Sequence, residues 1–126
     1  MSIPVAVTAT IDNQTPYTLS YSSQNLSYGK VTIDAKTIDA STSALAFVGA
    51  SFPGPPFTCE GTVTYSFTDQ NGATQYVSFF YEDPYEGPNE FSVAAPPGIS
   101  SKNNGPPNGT NVKVTYAING RVEASS

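Results

Sequence analysis

Histidine and tryptophan are absent from this chain, and cysteine occurs once in 126 residues. Without histidine there is no imidazole base for a serine or cysteine nucleophile, and the commonest nitrogen ligand for zinc is missing. Cys59 has no second cysteine for an internal disulfide and no imidazole to activate it. It reads as a small, inert, partly buried thiol. Charge is scarce as well: Asp, Glu, Lys and Arg make up 12% of the chain, about half the ordinary share. Ten acidic residues against five basic ones give a net charge of −5. A surface so poor in cations lacks the footprint that phosphate backbones require, so no nucleic acid is expected as a partner. Anionic membranes would repel it weakly, whereas neutral or zwitterionic ones would not. No apolar run approaches the roughly 18 residues needed to span a bilayer. The opening Met1-Ser2-Ile3-Pro4-Val5 has neither the basic nor the apolar part of a leader, which implies cytoplasmic synthesis without a signal peptide. Neither common phosphate-cradling glycine loop occurs.

What fills the space is Thr, Ser, Asn, Gly and Pro, with eight Tyr and seven Phe. That mixture suits short strands and tight turns, and helical periodicity is nowhere sustained. Val5, Val7, Ala9 and Ile11 alternate with Ala6, Thr8, Thr10 and Asp12, the period of a half-buried strand. A turn is expected at Asn13-Gln14-Thr15-Pro16, followed by short strands at 18–21, 31–33 and 44–50. Residues 62–68 and 74–81 form the clearest unit, a hairpin around Asn71-Gly72, which tolerates positive φ. Residues 91–93 and 112–118 supply two more strands, the last closed by Asn119-Gly120. The expected fold class is all-β, an antiparallel two-sheet β-sandwich, formed by a single domain over residues 1–126. Its core takes Val7, Ile11, Val63, Tyr65, Phe67, Val77, Phe79, Val114 and Tyr116. The Pro/Gly-rich stretches 52–57 and 96–111 are expected as exposed loops, the second partly disordered.

Glu60, Glu82, Asp83, Glu86 and Glu90 are the one carboxylate cluster, four of them in a loop at 81–90. A solvated loop is the plain reading. Calcium binding comes second, without EF-hand spacing, and glycosidase-type chemistry last. The chain is therefore not expected to be an enzyme, and no metal or cofactor is assigned. Tyr17, Tyr21, Tyr28, Phe52, Phe57, Tyr81 and Tyr85 lie in or beside expected turns. Tyrosine joins a flat apolar body to a hydroxyl, which suits sugars, lipid headgroups and protein partners, and several such rings around turns point to a binding face.

Several motifs recur in a known order: Ile11-Asp12-Asn13-Gln14-Thr15, then Leu26-Ser27-Tyr28-Gly29-Lys30. Thr58-Cys59-Glu60-Gly61-Thr62 and Tyr81-Glu82-Asp83-Pro84-Tyr85-Glu86-Gly87-Pro88-Asn89 follow, and Val112-Lys113-Val114-Thr115-Tyr116 closes the series. In this order and spacing, over nearly the whole chain, the sequence resembles the aegerolysin family, including the small components of binary insecticidal crystal toxins. The resemblance implies a β-sandwich that binds membrane lipid, a sphingolipid in particular. It also implies a larger partner protein that forms the pore once the small component has docked. On that basis the protein would be released after synthesis and act at a target membrane. The lipid-binding residues carried over are Tyr28, Gly29, Lys30, Tyr81, Asp83, Pro84 and Tyr85, with Lys30 placed to meet a headgroup phosphate. Fungal members carry Trp where Tyr28, Tyr81 and Tyr85 stand here, and Tyr offers an interface less apolar area. The residues by themselves leave two other readings open, a lectin-like carbohydrate-binding module and a structural or storage protein of the same fold.

Overall fold

The computed structural model describes residues 4–123; Met1-Ser2-Ile3, on which the leader reading partly rests, lie outside that range. Ten strands follow in order: β1 (Ala6–Gln14), β2 (Leu19–Tyr28), β3 (Lys30–Ile33), β4 (Thr37–Ile38) and β5 (Thr42–Ala50), then β6 (Cys59–Thr68), β7 (Thr74–Asp83), β8 (Glu90–Ala94), β9 (Ile99–Asn103) and β10 (Asn111–Gly120). They form two five-stranded sheets, β3-β5-β1-β10-β9 and β4-β2-β6-β7-β8. This is the all-β sandwich that the alternation predicts. One ladder departs from an antiparallel arrangement, since β1 and β10 pair in parallel, Val7 beside Val112 and Ile11 beside Tyr116.

Period-2 patterning decides what lies between the sheets. In β6 every second residue from Cys59 to Phe67 is buried, and in β7 the same holds from Val77 to Asp83. All nine residues expected in the core are buried there. The cluster is knit by aromatic contacts, among them Phe79 edge-on to Tyr116 at 5.3 Å and Tyr17 stacked on Phe67 at 4.7 Å.

Three expectations are corrected. β1 runs through Asn13 and Gln14, so the turn begins at Thr15. Asn13 is buried, its Nδ2 donating to the carbonyls of Tyr17 and Ile38, which satisfies an amide that water cannot reach. β10 ends at Asn119-Gly120, as expected. The stretch 96–111 contains β9, an edge strand whose ladder to β10 runs from Tyr116–Asn103 to Gly120–Ile99. Finally, β2 continues to Tyr28 with two irregularities in its pairing to β6.

Gly29 marks the point where the chain leaves the second sheet at β2 and enters the first at β3. Its φ is +87°, and a Cβ there would lie 2.3 Å from the Ala50 carbonyl oxygen. Only glycine makes that corner without displacing β5.

Candidate functional site

The corner at Gly29 fixes one end of the sandwich. Pairing of Tyr28 with Glu60, Lys30 with Ala50, and Cys59 with Asp83 sets the ends of β2, β5 and β7 level with the starts of β3 and β6. The loops at 51–58, 84–89 and 104–110 therefore emerge together. They are stitched to one another: the Tyr85 N–H donates to Thr58 Oγ1 at 2.8 Å, and the Asn89 N–H to the Pro107 carbonyl at 2.8 Å. The Asn89 side chain adds bonds to the Pro106 and Gly109 carbonyls at 3.2 and 3.3 Å.

On this end stand Tyr28, Phe52 and Tyr85, exposed by 42, 50 and 55%. Lys30 opens β3 at the same end, and with Ala50, Phe52 and Pro53 it borders a shallow cavity of about 410 Å³. Pro84 is half-buried at the base of the Tyr85 turn. The sequence carries no explicit signal for Phe52 as a partner of Tyr28; the level ends of β2 and β5 bring the two loops together.

Three residues of the carried-over set lie inside the sandwich instead. Gly29 is buried and serves the backbone turn. Tyr81 and Asp83 extend the inward parity of Val77 and Phe79, so both face the core and neither reaches the surface of the loop end. The Tyr81 ring is wedged between the sheets, where a Cβ on Gly49 would meet it at 2.4 Å and one on Gly61 would meet its hydroxyl at 2.9 Å. That hydroxyl and Asp83 Oδ2 are buried without a hydrogen-bond partner. Burial pushes the Asp83 carboxyl up to about 6. Cys59 lies fully buried nearby, its thiol raised to about 12 by burial first and by Asp83 second, which makes it unreactive. Tyr17, another of the turn aromatics, is also buried, and its hydroxyl accepts the Val122 N–H at 3.0 Å and bonds Gln70.

The carboxylates divide differently from the sequence reading. Only residues 84–89 of the acidic stretch are loop, because Tyr81–Asp83 belong to β7 and Glu90 opens β8. Glu60 faces Glu82 across β6 and β7, and Glu82 faces Glu90 across β7 and β8. Three carboxylates thus lie side by side on the outer face of the second sheet. Glu82, the middle one, is raised to about 7 by burial, then by hydrogen bonding to Glu90 and by the Glu60 charge. Among the described residues, no three of Cys, Asp and Glu are grouped as metal ligands.

No family model matches the sequence, and no curated protein does. Solved structures do share the fold. The chain is similar to IP-1A from Alcaligenes faecalis, with 12% identity and a TM-score of 0.64 over 92% of this chain and 91% of that one. It is similar to RahU, crystallised with a TRIS molecule, with 17% identity and a TM-score of 0.58 over 97% of each chain. A third likeness is to the lipid-binding protein Nakanori, at 11% identity and a TM-score of 0.62, over 93% of this chain and 72% of that one. At such identities the likeness is one of fold.

Proposed function

We propose that this protein binds membrane lipid through its loop end, as the docking component of a two-component, pore-forming system of aegerolysin type. The observation that carries the reading is the presence of three exposed rings, Tyr28, Phe52 and Tyr85, on one end of the sandwich, with Lys30 bordering the same cavity as Phe52. Aromatic rings enter the interfacial zone of a bilayer, and a lysine among them meets a headgroup phosphate. Fold likeness to a lipid-binding protein agrees with this, as does the order of the aegerolysin-like motifs. Lys30 is the cation at this end, so attachment depends on headgroup identity more than on net membrane charge, and a sphingolipid is the proposed class. Rings alone insert shallowly, which is why the pore falls to a larger partner protein. The protein is proposed to be made in the cytoplasm and to act after release.

The test is sedimentation with vesicles of phosphatidylcholine and sterol, with and without sphingolipid, for the native chain, Tyr28→Ala and Tyr85→Ala. The native chain is expected to sediment with the sphingolipid vesicles without releasing trapped dye. Each variant should lose on the order of 1–2 kcal/mol of binding. Native binding to no vesicle, or equal binding by all three proteins, contradicts the reading.

A further inference from the structure

The outer face of the second sheet is broad and plays little part in the lipid reading. Cross-strand register fixes its rungs. Tyr28, Glu60, Glu82 and Glu90 make one, and Asn25, Thr62, Phe80 and Ser92 make the next. Further along, Tyr76 lies opposite Ser66 and is 56% exposed. Strands stand about 4.8 Å apart and alternate residues about 6.8 Å apart, which puts Phe80 roughly 12 Å from Tyr28 and about 13 Å from Tyr76. Between these rings lie only small hydroxyls, amides and carboxylates. None of the five cations lies in the carboxylate rung: Lys30, Lys102 and Lys113 belong to the first sheet, Arg121 to a loop, and Lys36 to a loop that meets β2 at Tyr21, opposite Tyr65 rather than Glu60. Beside Phe80 the face dips into a groove of about 450 Å³, bordered by Asn89, Glu90, Ser92 and Pro107.

We propose that this face binds a short oligosaccharide free of acidic groups, with Phe80 and Tyr76 as stacking platforms and Glu90, Glu82 and Ser92 as acceptors for its hydroxyl or amine protons. A sugar ring offers an apolar C–H face and a polar rim, and the alternation of aromatic rings with carboxylates and hydroxyls answers both. The spacing of about 13 Å between Phe80 and Tyr76 matches the reach of a short oligomer lying along β7. Charge selects among sugars. Three carboxylates with no cation in their rung attract amines through charge-assisted hydrogen bonds, the rings add cation–π attraction, and uronates are repelled. This inference stands without the lipid reading, and its test uses residues distant from the loop-end rings.

Because the chain lacks tryptophan, tyrosine emission reports binding directly. The probes are short oligomers of glucosamine, of N-acetylglucosamine and of galacturonate, titrated into the full chain. The glucosamine oligomer is expected to bind most tightly, the N-acetylated one more weakly, and galacturonate not at all. Phe80→Ala and Tyr76→Ala should each weaken binding about tenfold. Glu90→Gln should weaken the glucosamine oligomer more than the N-acetylated one. Lys113→Ala, on the opposite face, should leave both unchanged. Tyr76 is largely exposed, so its variant keeps the fold even if Phe80→Ala does not. Absence of binding at millimolar concentration, galacturonate binding as tight as glucosamine, or wild-type affinity in Tyr76→Ala and Glu90→Gln together would overturn the proposal.

Discussion

Three tyrosines of the core, Tyr65, Tyr81 and Tyr116, are fully buried, and they differ in one respect. The Tyr65 hydroxyl donates to the Ala35 carbonyl and that of Tyr116 to the Phe80 carbonyl, each at 2.6 Å, whereas that of Tyr81 has no partner. A buried hydroxyl without a partner is a net cost, while a satisfied one is a modest gain. Urea denaturation of three Tyr→Phe variants checks this. Tyr81→Phe should gain about 1 kcal/mol, and Tyr65→Phe and Tyr116→Phe should lose about as much. Equal losses at all three would mean that the Tyr81 hydroxyl is partnered. The core set from Val7 to Tyr116 follows from alternation alone. Tyr81 and Asp83 obey the same parity, but next to Pro84 and a run of acids they resemble a turn, and only the ladder to Cys59 shows that β7 continues inward. Lys30, Tyr28 and Tyr85, which do reach the surface of the loop end, carry no local mark that separates them from Tyr81.

Among the elements, the clearest in the sequence are long and buried on one face, although the short strands at 31–33 and 91–93 are legible too, as β3 and β8. β6 and β7 read at once, because half of each strand meets the core. The rest of β2, with β4 and β9, was not legible, for physical reasons. From Ser22 onward β2 is a largely exposed strand of Ser, Asn and Gln with two pairing irregularities, so no apolar period survives. β4 has two residues, and β9 lies exposed at a sheet edge within a Pro- and Gly-rich stretch. The rung across β6, β7 and β8 emerges only from register, since Glu60 lies far from Glu82 in the chain. That rung and buried Asp83 set a pH dependence. Glu82 is raised from 4.5 to about 7 and Asp83 from 3.8 to about 6, so the folded state holds these protons more tightly than the unfolded chain does. Their stability contribution is complete below the unfolded values and is lost as pH rises through the folded ones. The melting temperature should therefore be higher near about pH 5 than near about pH 8, by on the order of a few degrees. Glu82→Gln and Asp83→Asn should each flatten that slope. A melting temperature that rises from the lower pH to the higher contradicts both assignments.

For the molecule as a whole, the asymmetry of its surfaces organises the account. One end carries three exposed rings and Lys30, one outer face carries a row of three carboxylates, and the opposite outer face carries the remaining strand lysines, Lys102 and Lys113. None of this shows in a net charge of −5, because it depends on which strands lie side by side. The central claim is that the loop end, and not the far end with its Asn71-Gly72 turn, meets a lipid surface. Cys59 is buried and unreactive, so a single introduced thiol can be labelled selectively. The decisive measurement places an environment-sensitive fluorophore on Glu86→Cys in the loop end and, separately, on Asn71→Cys, and records emission on sphingolipid vesicles. The account predicts a blue shift at position 86 and none at position 71. A shift at 71 with none at 86, or protein that sediments with vesicles while neither label responds, contradicts it.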